Sequence, residues 1–153
     1  MSYLYIHLVL MISVFFISLF AAIIAKFFRK KIWWLKKHKL FNQIKTILAI
    51  TGFIIAIIMV NNFQIGHFST FHGIIGLITV CLILIQSTAG FLITINILSR
   101  IKLFKNLNTK KLDEIRLNDF NANKILRLIH KKSGLIIILL ILLNIIIGLT
   151  KIF

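Results

Sequence analysis

Apolar residues are concentrated in four long stretches of the chain, and the segments between them hold most of its charge. The stretches run from about Leu4 to Ala25, Ile44 to Val60, Phe68 to Leu98 and Ile125 to Ile147. A helix needs about 20 mostly apolar residues to cross a bilayer, and the second stretch reaches that length once residues 40–43 are included. The pattern predicts an all-α integral membrane protein, an antiparallel four-helix bundle. The predicted helices cover about residues 3–28, 38–60, 68–98 and 125–151.

Composition agrees with a membrane protein of one domain, residues 1–153. The chain is 59% hydrophobic and 14% charged, and it has no proline to break a helix. The polar segment 99–124 holds all three acidic residues, and we expect it to be a cytoplasmic loop that can include a short surface helix. No basic residue precedes the first apolar stretch, so we expect it to be a retained helix and not a cleaved signal peptide.

The net charge of +16 is distributed very unevenly. Eight basic residues lie between the first and second helices or just after: Lys26, Arg29, Lys30, Lys31, Lys36, Lys37, Lys39 and Lys45. Ten more connect the third and fourth helices: Arg100, Lys102, Lys105, Lys110, Lys111, Arg116, Lys124, Arg127, Lys131 and Lys132. The positive-inside rule places both groups in the cytoplasm and both termini on the other side. The charge therefore needs no nucleic acid to explain it, and anionic lipid headgroups are the expected partners of most of these residues.

Histidine is the polar residue with the most informative distribution. Four of the five histidines lie near the start of one helix each, at His7, His38, His72 and His130. Because the helix directions alternate, His7 and His72 belong to the outer side of the membrane, and His38 and His130 to the inner side. An ionisable side chain at membrane depth is a candidate functional residue, so the sequence predicts one histidine pair per leaflet.

The third and fourth helices repeat one pattern measured from their histidines. From His72, offsets of four, fourteen and eighteen give Gly76, Gln86 and Gly90. From His130 the same offsets give Gly134, Asn144 and Gly148. These positions share one helix face at ~3.6 residues per turn, and the last lies ~27 Å from its histidine. At offsets of fourteen and eighteen, the second helix has Gly52 and Ala56 and the first has Ala21 and Ala25.

A flat macrocycle accounts for both the paired histidines and the small residues. Imidazole is a standard axial ligand of haem iron, and small residues on the neighbouring helices would leave room for the ring. Close helix packing through small residues explains the glycines alone but not the two histidine layers. A zinc site, with His67 as a third outer ligand, and a proton relay are weaker alternatives. The residues thus favour two bis-histidine haems.

The sequence resembles the cytochrome b561 family in the form of its four-helix core, as in ferric-reductase-like and DOMON-linked membrane domains. The most specific stretches are "HFSTFHGIIGLITVCLILIQSTAGF" and "ILRLIHKKSGLIIILLILLNIIIGL". "WWLKKHKLFNQIKTILAITGF" and "YIHLVLMISVFFISLFAAIIAKFFRK" resemble the second and first core helices. The resemblance implies two haem b groups, held by His7 with His72 and by His38 with His130, and single-electron transfer across the membrane.

The resemblance also implies the reaction partners. The expected donor is a cytoplasmic reductant such as ascorbate or a quinol, and the expected acceptor is monodehydroascorbate or a ferric chelate, as in a transmembrane reductase. Lys36, Lys37, Arg127 and Lys131 flank the inner histidines and are candidates for attracting an anionic donor. The alternative function is a haem-binding anchor in a larger redox complex, with a partner protein or a second copy of the chain. We expect a multi-pass protein of a bacterial cytoplasmic membrane or a eukaryotic endomembrane.

Overall fold

Four α-helices make up the part of the chain that the structure, a computed structural model, describes: residues 2–62, 70–104 and 109–150 of the backbone. Side chains are described for 3–62, 70–93 and 127–150. The helices are α1 (Ser2–Phe27), α2 (Trp34–Asn62), α3 (Phe71–Phe104) and α4 (Thr109–Leu149). Each contains a stretch long and apolar enough to cross a membrane, so the predicted all-α, multi-pass membrane fold is confirmed.

The helices form a square in chain order. The most extensive packing is between α1 and α2. Contacts between α2 and α3, between α3 and α4, and between α4 and α1 complete the square. Between the described residues, the diagonal pairs α1 and α3, and α2 and α4, have no backbone contact. Side chains that point inward from diagonal helices can therefore meet at the centre of the bundle.

The outer surface of the bundle is apolar and its core is thin. Val9, Ile47 and Leu135 are each more than 60% exposed. Among the described residues, fully buried hydrophobic side chains form a small cluster at the centre: Val14, Ala49, Ile83, Ile137 and Ile141. Such a surface would be costly in water but suits lipid, where the apolar side chains need no further cover.

Two expectations from the sequence differ from the described structure. The described backbone of the segment 99–124 is helical, since α3 continues to Phe104 and α4 begins at Thr109, and residues 105–108 lie outside the described residues. It contains neither proline nor glycine, so no residue in it stops a helix when the chain leaves the apolar region. Lys45 does not belong with the solvated basic residues either, since its side chain is only 2% exposed inside the bundle. The helix bounds otherwise differ modestly, and α2 starts one turn earlier than predicted, at Trp34.

Candidate functional site

The four histidines meet as two pairs across the diagonals of the square. The ring centroids of His7 on α1 and His72 on α3 lie 6.3 Å apart, with the ring planes at 81°. Those of His38 on α2 and His130 on α4 lie 6.2 Å apart, at 79°. Between the described residues, the backbones of the helices that carry each pair have no contact, so in each layer the two imidazoles bridge the interior of the bundle. We call the first the outer pair and the second the inner pair.

Within the α1–α2 hairpin, each histidine donates a hydrogen bond to the backbone of the other helix. His7 Nδ1 lies 2.9 Å from the carbonyl oxygen of Gly52, and His38 Nδ1 lies 2.9 Å from that of Ala21. A carbonyl oxygen can only accept, so in both rings the proton is on Nδ1. In the neutral imidazole this tautomer leaves the lone pair of Nε2 to bind a metal, and such a bond to the second nitrogen is typical of metal-binding histidines.

Glycines lie against the other two histidines. A Cβ at Gly90 of α3 would be 3.1 Å from Cε1 of His130, and a Cβ at Gly148 of α4 would be 3.0 Å from Cε1 of His72. These distances are shorter than ordinary carbon contacts, so any side chain at either position would push on the ring. Gly90 therefore lies at the level of the inner pair and Gly148 at the level of the outer pair.

The remaining glycines of the repeat lie against amide side chains. A Cβ at Gly76 would be 3.2 Å from Nδ2 of Asn144, and one at Gly134 would be 2.8 Å from Nε2 of Gln86. Gly52 differs, because a Cβ there would make only ordinary contacts of 3.6 Å with Leu10 and Met11. The sequence pattern groups all five glycines together, but four of them face a ring or an amide and the fifth supplies a carbonyl.

These contacts follow a pseudo-twofold arrangement that exchanges the two ends of the bundle. In the α1–α2 hairpin, each histidine bonds to the residue fourteen positions after the other helix's histidine. In the α3–α4 hairpin, each histidine lies against the glycine at offset eighteen, and each amide at offset fourteen lies against the glycine at offset four. Each end of the bundle thus has one histidine pair and two small residues beside it.

Both pairs fit a single metal ion between two imidazoles. A metal–nitrogen bond is about 2 Å long and the ring centre lies about 1 Å further, so two rings on opposite sides of one ion have centroids about 6 Å apart. The observed 6.3 and 6.2 Å agree with this distance. At the inner pair, Asn42 Nδ2 lies 3.2 Å from His38 Nε2, and a metal bond would replace this weak contact. The donor sets therefore fit axial ligation of haem iron.

The outer pair borders a cavity of about 210 Å³ that residues of all four helices line, with Asn144 as the contribution of α4. His7, His72 and Gly76 line it, together with apolar residues such as Phe53 and Leu77. Among the residues with described side chains, no group of three or more histidine, cysteine or acidic residues forms a metal site. A closed zinc site usually has four such ligands, whereas the described side chains bring two histidines together at each level. His67, the third outer ligand of the zinc alternative, lies outside the described residues.

One part of the site was missed from the sequence. Next to the inner pair, the Lys45 ammonium donates to Oδ1 of Asn42 at 3.0 Å and to Oε1 of Gln86 at 2.7 Å. The signal was present, because Lys45 lies seven residues after His38 and so on the same face of α2. By contrast, the four candidate donor-binding residues are exposed near the inner ends of α2 and α4: Lys36, Lys37, Arg127 and Lys131.

Comparison with known families gives a match over most of the chain. A sequence model described as eukaryotic cytochrome b561 matches residues 6–108, about two thirds of the chain. The matched region includes His7, His38 and His72. It ends just before α4, the helix that contains His130 and Gly148. Neither a curated protein nor a solved structure matches the chain.

Proposed function

Since this chain belongs to the cytochrome b561 family, whose function is electron transfer through haem b across membranes, we propose that it is a dihaem electron conduit. His7 and His72 hold the outer haem, and His38 and His130 hold the inner haem. The observation that carries the proposal is the separation of about 6 Å between the rings of both diagonal pairs. When bound, haem supplies reversible one-electron chemistry, and the protein fixes its position and potential.

The chain's own residues have separate tasks in this proposal. The Gly52 and Ala21 carbonyls hold His7 and His38 in the tautomer that presents Nε2 to the iron. Gly90 and Gly148 give the rings of His130 and His72 the space to take up their positions. Gly76 and Gly134 bring Asn144 and Gln86 close to the neighbouring helix, which fixes the register of α3 against α4.

The proposed direction of electron transfer combines the orientation that the charge pattern predicts with the reaction partners that the family suggests. The basic segments mark the inner side as cytoplasmic, with both termini on the opposite side. A cytoplasmic reductant, ascorbate or a quinol, supplies the electron at the inner pair. Lys36, Lys37, Arg127 and Lys131 attract an anionic donor there. An acceptor on the other side, monodehydroascorbate or a ferric chelate, takes the electron from the outer pair.

The first test is haem content and spin state. We expect the purified full-length protein to contain two haem b groups per chain, both low-spin, because two strong-field imidazoles ligate each iron. Quantitative haem extraction and a reduced-minus-oxidised spectrum measure both properties. One haem per chain, or a high-spin spectrum in a fully loaded preparation, would contradict the proposed ligand pairs.

The second test is transfer across a bilayer. We expect vesicles that contain the protein and enclose ascorbate to reduce ferricyanide added outside, at a rate well above that of protein-free vesicles. The His38→Ala and His72→Ala variants are the matched controls and should abolish the difference. If wild-type protein binds both haems but ascorbate does not reduce them, the alternative function is favoured: a haem-binding anchor in a larger redox complex.

A further inference from the structure

The two ends of the bundle differ in residues of α1 and α2 beside the histidines, although the pseudo-twofold arrangement predicts a match there. Seven residues after its histidine, α2 has Lys45, whereas α1 has Val14, and both side chains are almost completely buried. Four residues after the histidine, α2 has Asn42 and α1 has Met11. The inner half of the core thus contains a cationic side chain with a polar partner, and the corresponding positions of the outer half are apolar.

The position of Lys45 along the bundle is fixed by the hairpin hydrogen bonds. On α2, His38 marks the level of the inner pair, and Gly52, which accepts the hydrogen bond from His7, marks the level of the outer pair. Lys45 lies seven residues, or about 10 Å along the helix, from each of these two levels. Its ammonium, however, extends toward the inner pair. It bonds to Asn42, whose amide nitrogen lies 3.2 Å from His38 Nε2, so the ammonium is within about 9 Å of that nitrogen.

The charge of Lys45 has no carboxylate partner in the membrane. The sequence places its three acidic residues at Asp113, Glu114 and Asp119, outside all four spans. The partners of the ammonium are the neutral amide oxygens of Asn42 and Gln86. An ionised group at this depth is costly and usually marks a functional site. A cation in the core of an electron carrier acts directly on the charge of the cofactor.

We propose that Lys45 is a redox-tuning residue that raises the midpoint potential of the inner haem above that of the outer haem. The inference rests on the proposed function, since it requires that both histidine pairs bind haem. Ferric haem carries one more positive charge than ferrous haem, so a nearby cation stabilises the reduced form. The inner site then accepts an electron readily from a mild cytoplasmic reductant.

The size of the effect follows from Coulomb's law. A unit charge about 10 Å from the iron, at an effective dielectric constant of about 20, changes the ratio of reduced to oxidised haem roughly tenfold. For a one-electron couple, a tenfold change corresponds to about 59 mV. The outer haem lies further from the ammonium, and its potential should change less.

The test is a redox titration of the full-length protein with both haems bound. We expect Lys45→Met to lower the reduced-to-oxidised ratio of the inner haem about tenfold at a fixed ambient potential. Lys45→Arg keeps the positive charge and should keep this ratio close to that of the wild type. A titration of the His72→Ala variant, which retains the inner haem, assigns the two potentials. The matched control is Thr46→Val, which removes the 2.6 Å hydrogen bond to Ser87 between α2 and α3 without changing the charge.

A reciprocal variant keeps the proposal testable if Lys45→Met does not bind the inner haem. Val14→Lys introduces the cation at the equivalent outer position, where Oδ1 of Asn144 is buried without a hydrogen-bond partner among the described residues. The outer potential should then rise. Unchanged potentials in Lys45→Met with both haems bound, an equal shift in Thr46→Val, or no rise in Val14→Lys would each overturn the proposal. Wild-type protein without haem would instead reject the proposed function itself.

Discussion

The His72→Ala variant is expected to lose the outer haem and to keep the inner one, and the His38→Ala variant is expected to do the reverse. Each substitution removes one of the two ligands proposed for a haem that has no covalent attachment, so the affinity of that site for haem should fall steeply. Haem content should fall from two groups per chain to about one in both variants. The remaining spectrum should be that of a single low-spin haem, and it should differ between the two.

The other two histidines supply the matched controls. His7→Ala should give the spectrum of His72→Ala, because those rings form one pair at 6.3 Å, and His130→Ala should give that of His38→Ala. Two variants with the same spectrum thereby identify one pair. If His72→Ala kept the outer haem and His67→Ala lost it, the outer ligand would be His67 and our choice would be wrong.

The helices and the levels of the histidines could be predicted from the sequence because both depend on short-range regularities. A hydrophobic stretch of about 20 residues has few alternatives to a membrane-spanning helix. The helical rise then fixes which residues share a level, and alternating helix directions assign His7 and His72 to one end and His38 and His130 to the other. None of these steps requires knowledge of how side chains pack.

The environment of individual polar residues could not be predicted in this way. Lys45 follows the end of a charged segment by fewer than two helical turns, and hydropathy alone gives no reason to separate it from its solvated neighbours. Its burial depends on the positions of Asn42 and Gln86, which accept hydrogen bonds from its ammonium group. Those positions are a property of the packed bundle. The helical backbone at 99–104 and 109–124 could not be predicted from polarity, because a helix outside the membrane can be as polar as a loop.

The second large effect is expected from leucine at Gly148 or Gly90, although neither glycine binds a metal. Even a Cβ at Gly148 would lie 3.0 Å from Cε1 of His72, and a Cβ at Gly90 would lie 3.1 Å from Cε1 of His130. Leucine adds three more carbons in the same place, and close-packed cores tolerate such additions poorly. The affected ring would have to move or rotate away from the position in which it faces the opposite histidine. Gly148→Leu should therefore deplete the haem of His7 and His72, and Gly90→Leu that of His38 and His130.

Each glycine variant predicts which of the two haems is lost, and a third glycine supplies a control. Along each helix the glycine lies eighteen residues from that helix's own histidine, so the depleted haem should be the distant one in both cases. Haem quantification and the spectrum of the remaining haem measure this for each variant. Gly52→Ala is the control, because its Cβ would make only ordinary 3.6 Å contacts and the carbonyl that accepts from His7 is unchanged, so both haems should remain. Full haem occupancy in both leucine variants would mean that Gly90 and Gly148 serve only helix packing, and that the rings beside them have room to spare.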